Sequence, residues 1–143
     1  MRDISNRVKA VTCQDAKVFT ADANGTTVDR QGFESCMFVV NSGIEGDTLS
    51  GSVKFDFILQ ESDDDTTFTA VTSSTSVTET SVDSSGIFLT LDANGETPQT
   101  SQIGYIGGKR YVRVKIDATG THSNGTPISV QAVLGNPADS EDA

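Results

Sequence analysis

Apolar and polar residues alternate with a period of two along most of the chain, as in strands with one buried and one wet face. Val112, Val114, Ile116 and Ala118 alternate with Tyr111, Arg113, Lys115 and Asp117. Ile128, Val130, Ala132 and Leu134 alternate with Ser129 and Gln131, Val133 being the exception. Phe55, Phe57 and Leu59 form an apolar row opposite Lys54, Asp56 and Gln60. The segment Phe33 to Val40 ends apolar on both faces, which marks a central strand. Shorter strands fit 17–20, 67–72 and 87–91. No window of about eleven residues carries a helical stripe.

Turn chemistry punctuates these runs. Asn-Gly occurs at Asn24-Gly25, Asn94-Gly95 and Asn124-Gly125, and both residues tolerate the positive φ of tight turns. Gly107-Gly108 between Ile106 and Lys109 reads as one hairpin, and Ser62-Asp63-Asp64-Asp65 as a second with an acidic tip. The string Asp-Ala-Asn-Gly at 22–25 and 92–95 reads as two similar hairpin turns. These features predict an all-β chain, a single-domain β-sandwich of jelly-roll-like or Ig-like type with about eight strands and no substantial helix. The expected organisation is an N-terminal arm at 1–16, a β-sandwich domain at 17–137 and a flexible acidic tail at 138–143. The Ser- and Thr-rich run at 73–85 reads as a solvated loop or edge strand, or as an arm that orders against a neighbouring subunit.

Composition narrows the partners. The 143 residues carry 20 acidic and 10 basic side chains, a formal net charge of −10. Such a chain repels nucleic acid and anionic membranes. It has no apolar run long enough to span a bilayer. Residues 1–10 lack the apolar stretch of a signal peptide, so a soluble protein made in a cytoplasm is expected. That compartment argues against a disulfide between Cys13 and Cys36, which are expected to be buried thiols.

Candidate chemistry is sparse. His122, the single histidine, sits among turn formers and reads as a solvated loop residue rather than a general base. Two separated cysteines and one histidine predict no transition-metal site, and no cofactor is expected. Glu61 and Asp63 to Asp65 lie at a hairpin tip with no apolar wall to raise a carboxyl pKa, and they lack the spacing of a calcium loop. No nucleophile elbow or zinc-protease motif is present, so the chain is not expected to be an enzyme. The distinctive feature is Lys109-Arg110-Tyr111-Val112-Arg113-Val114-Lys115, which holds four of the ten basic residues. Lys109, Arg110, Tyr111, Arg113 and Lys115 are candidates for protein contact, since Arg and Tyr anchor interfaces. The alternative is a solvated face paired with carboxylates across the strands.

Gly104-Tyr105-Ile106-Gly107-Gly108-Lys109-Arg110-Tyr111-Val112-Arg113-Val114 resembles a signature of small tailed-bacteriophage virion proteins. Ala118-Thr119-Gly120-Thr121, Thr126-Pro127-Ile128 and Ala132-Val133-Leu134-Gly135-Asn136-Pro137 resemble the turn and closing strand that follow it there. Gln31 to Ser35 leading to Val39 to Gly43 looks like the early strand of those proteins. Leu59 to Asp64 with Thr67 to Val71 looks like their middle hairpin. The resemblance spans residues 3–137. It implies a non-enzymatic head protein of decoration or cement type on the outer capsid surface of the virion. Its partners would be the major capsid protein and further copies of itself as a dimer or trimer, with residues 1–17 and 73–85 as contact candidates. A head–tail connector or tail component is the alternative. A glycan-binding sandwich would need more exposed aromatics than this chain has.

Overall fold

The computed structural model describes residues 2–137. It is an all-β sandwich of ten strands and one 3-10 turn at Ser74–Ser76. Sheet A contains β1 (Val8–Phe19), β10 (Thr126–Pro137), β3 (Phe33–Ser42), β8 (Gln99–Tyr105) and β6 (Val77–Thr78), side by side in that order. Sheet B runs β2 (Val28–Asp29), β9 (Tyr111–Thr119), β4 (Lys54–Ser62) and β5 (Thr69–Ala70), with β7 (Ile87–Leu91) also pairing β4. All the pairings are antiparallel.

Setting aside the two-residue strands β5 and β6, the order is β1-β10-β3-β8 in one sheet and β2-β9-β4-β7 in the other. The chain thus passes between sheets at almost every connection, and β4 and β7 are the single pair of sequence neighbours side by side in these four-strand orders. That is jelly-roll connectivity. An Ig sandwich would place consecutive strands beside one another within a sheet.

The alternation read from sequence produces the core. Val112, Val114 and Ile116 of β9 and Phe55, Phe57 and Leu59 of β4 are fully buried. They meet Phe38 and Val40 of β3, Ile103 and Tyr105 of β8, and Val130 and Ala132 of β10, which close the other side. Each large side chain withdrawn from water contributes roughly 1.5–3 kcal/mol. Cys13 and Cys36 are free and buried, as expected.

Several expectations need correction. The boundary drawn at residue 16 falls inside β1, because residues 8–16 pair with β10 as sheet A's edge. Bulges at Thr12/Gln14 and Gln14/Lys17 break the alternation of β1 and hid it. Gly107-Gly108 is not a hairpin: β8 lies in sheet A and β9 in sheet B, so the glycines carry a crossover. The two Asp-Ala-Asn-Gly strings likewise bridge the sheets, between β1 and β2 and between β7 and β8. The acidic hairpin does form, with β4 and β5 paired through Gln60↔Ala70 and Glu61↔Thr69. The 73–85 run supplies the 3-10 turn and the edge strand β6. The acidic tail expected at 138–143 lies outside the described residues.

Candidate interaction surfaces

The motif 104–114 forms the crossover, and its side chains hold that crossover in place. Tyr105 is fully buried, and its hydroxyl donates to Glu61 of β4 at 2.6 Å while accepting the Lys109 amide at 3.1 Å. Burial and the neighbouring carboxylate push its pKa well above the usual phenol value. Arg30 covers the ring, its guanidinium 4.7 Å from the centroid, and donates to the carbonyls of Lys109 and Gly107 at 3.0 Å each. Gly107 is required here, since a Cβ would come within 2.6 Å of the Tyr105 hydroxyl.

The five contact candidates divide accordingly. Lys109 pairs with Asp63 at 2.6 Å, and Arg110 clasps Asp29 with two bonds of 2.9 and 2.8 Å. The Arg110 bonds hold the Asp29 carboxyl below its ordinary pKa, and the Asp63 partner raises that of Lys109. Tyr111, Arg113 and Lys115 alternate outward on β9, half-buried on the outer face of sheet B. Arg110 stacks on Tyr111, 4.9 Å from its ring centroid. Arg113 donates to Gln60 at 2.8 Å and lies 3.8 Å from the Phe68 ring centroid. Partial burial lowers its pKa. Lys115 makes no ion pair or side-chain hydrogen bond among the described residues. The cross-strand carboxylate pairing considered from sequence therefore describes Lys109 and Arg110, while Arg113, Tyr111 and Lys115 form an outward row beside Phe68. Phe68, Gln60, Asp29 and Arg30 were not singled out from sequence, because only the strand pairings bring them to this segment.

The outer face of sheet A differs in kind. Its outward residues are Val8, Ala10 and Thr12 on β1, and Ser129, Gln131, Val133 and Gly135 on β10. Ser35, Met37, Val39 and Asn41 on β3 continue it, followed by Thr100, Gln102 and Gly104 on β8. None of these is charged, in a chain of net charge −10, and the exposed Asp15 at the β1 bulge borders them. A groove of about 360 Å³ crosses one end, lined by the apolar Ile4, Val8, Met37, Ile106 and Val133 and by Glu34 and Glu79. Ile4 and Ile106 are 62% and 61% exposed there. Val18, 53% exposed, lies at the opposite end beside Pro127 and Gly43. Ile44, 70% exposed, follows Gly43.

His122 is buried, contrary to the solvated loop expected. Its ring stacks on Phe55 at 4.2 Å between centroids, and Nε2 lies 3.2 and 3.0 Å from the carbonyls of Lys54 and Thr119. The ends of β4 and β9 build this slot, a tertiary effect that the local turn formers do not report. Nδ1 faces Asp47 at 4.0 Å, whose carboxyl is held below its ordinary pKa by the Asn124 and Gly125 amides. At the acidic hairpin, Asp64 accepts the amides of Thr66 and Thr67 at 3.0 and 2.9 Å and so closes the turn.

No protein-family profile and no characterised protein matched this chain. Among solved structures it is similar to the SPBc2 prophage-derived protein YomS, at a TM-score of 0.49 and 16% sequence identity. The superposition covers 90% of this chain and 93% of that chain. Nothing about function passes from one chain to the other at that identity.

Proposed function

We propose that this chain is a non-enzymatic bacteriophage head protein that binds the major capsid protein and cements the outer capsid surface. The jelly roll does not select this role, because the fold serves many functions. The setting comes from the sequence resemblance at 104–114 and its flanking segments. The observation that carries a binding role is the outward row of Tyr111, Arg113 and Lys115, with Arg113 fixed over Phe68 and against Gln60. An arginine held in place by an aromatic ring and an amide loses little side-chain entropy on docking, the property of an interface anchor. The net charge of −10 favours the outside of a DNA-filled shell over its interior. Weak contacts repeated over a shell add by avidity, and preference for the expanded shell stabilises that state by linkage.

The test is copy number and location in purified particles, by quantitative mass spectrometry with gold-labelled antibody. Hundreds of copies over the head fit the proposal. About a dozen copies confined to one vertex or the tail make the chain a connector or tail component, and absence from particles removes the virion setting. The double substitution Arg113→Glu with Lys115→Glu is expected to weaken shell binding at least tenfold. Unchanged binding by this folded variant removes the row from the interface.

A further inference from the structure

We infer that the outer face of sheet A, with its uncharged centre, is a self-association surface, whose occupant is the same face of a second copy. The electrostatic reason is specific to this chain. In a twofold contact the residues near the axis meet their own counterparts, so a charge at the centre of the surface meets a like charge. A protein with 20 acidic and 10 basic residues avoids that penalty only where charges are missing. They are missing from the outward positions of β10, β3 and β8 and from Val8, Ala10 and Thr12 of β1, whereas Asp15 at the β1 bulge and Lys17, Glu34 and Glu79 at the two ends surround this uncharged centre. On the other sheet, Asp56 faces Asp117, and Lys115, Arg113, Lys109 and Arg110 crowd one strand and its approach.

The dimensions fit as well. Four strands of seven to twelve residues present roughly 20 Å by 30 Å of sheet. With the exposed rims that is close to the ~800 Å² per partner of a standard interface. Val39, Met37 and Val133 run along its middle, flanked by Gln131, Gln102, Ser129 and Asn41, whose amides and hydroxyls both donate and accept and so pair with their own kind. The two ends are unlike. One is the groove between Ile4 and Ile106, and the other carries the exposed side chains of Val18 and Ile44. A twofold axis crossing the strands at the level of Gln131 and Val39 lays each protruding end over the partner's groove. The two sheets then pack as aligned sheets do, about 10 Å apart. This inference stands whether or not the protein belongs to a virion.

Sedimentation equilibrium and light scattering test it on the full chain. At ~10 μM the wild type is expected to run at twice its 15.1 kDa mass. Gln131→Glu places two carboxylates at the axis from an exposed, nearly isosteric position, and is expected to weaken the dimer at least tenfold while leaving the melting temperature unchanged. Met37→Glu should act the same way. Ile58→Glu, on the outer face of sheet B, should leave the dimer intact. Gln131→Cys should form an interchain disulfide under mild oxidation. A wild type that stays monomeric at ~100 μM overturns the inference. So does a Gln131→Glu variant that dimerises like the wild type, or a dimer lost only with Ile58→Glu.

Discussion

Tyr105→Phe removes a single oxygen from the centre of the crossover, and its cost follows from the bonds that oxygen makes. The hydroxyl donates to Glu61 at 2.6 Å and accepts the Lys109 amide at 3.1 Å, from a ring with no exposed surface. A hydrogen bond to a carboxylate contributes about 1.5–3 kcal/mol and one to a neutral amide about 0.5–1.5 kcal/mol. Glu61 is half-buried, so water recovers part of the first, and the expected loss is about 2–3 kcal/mol. With a urea dependence of about 1.5 kcal/mol/M, the unfolding midpoint falls by roughly 1.5–2 M. The assay is urea unfolding followed by far-UV circular dichroism, on the wild type, Tyr105→Phe, Glu61→Ala and the double variant. The cycle should return a coupling of about 1–2 kcal/mol between the two side chains. A midpoint shift under ~0.3 M, or single-variant losses that simply add, would refute the reading of this bond as a tie between the two sheets.

Two further outcomes follow from the buried and crowded groups. Burial pushes the Cys13 thiol up to about 11 and that of Cys36 to about 12. Neither should react with a disulfide reagent at pH 8 in the native protein, and both should react in denaturant; rapid native labelling of either would contradict the packing. Asp117 has its pKa raised by burial first and then by Asp22, with Asp56 directly opposite and Lys115 partly offsetting. Asp117→Asn should therefore stabilise the fold at pH 7 by about 0.2–1 kcal/mol. A carboxyl with a raised folded pKa binds its proton more readily when folded, so the wild type recovers stability as pH falls through that pKa. The variant's advantage should shrink toward pH ~4. A gap that is constant or widening on acidification would contradict it.

The strands whose alternation is unbroken were legible in the sequence. β9 and most of β10 bury every second residue, as do Phe55, Phe57 and Leu59 of β4 although Asp56 is also buried, and the period of two shows it directly. β1 was not legible, because two bulges shift its phase within twelve residues. The crossover at Gly107-Gly108 looked like a hairpin for a general reason. Glycines and flanking strands report that the chain turns, and not which sheet it enters. Among the contact candidates, the alternation of Tyr111, Arg113 and Lys115 was visible, while the partners of Lys109 and Arg110 were not. Asp63 and Asp29 lie 46 and 81 positions away and arrive only through the sheet B pairings. The uncharged centre of sheet A's outer face was hidden in the same way. Its residues are ordinary Ser, Thr, Gln and Val positions until β10 is placed between β1 and β3.

That placement of β10 also sets the timing of folding during synthesis. The last of the described strands is the inner partner of the first, Val8 lying opposite Gly135, and it separates β1 from β3. Until Thr126 to Pro137 have left the ribosome, β1 has no neighbour and one edge of β3 is bare, so sheet A cannot close. The jelly roll is therefore completed only when β10 is free to pair, through contacts of long sequence separation that form in milliseconds to seconds. A stop codon before Thr126 would delete the strand that joins the two halves of the sheet, leaving both open to pairing with other chains.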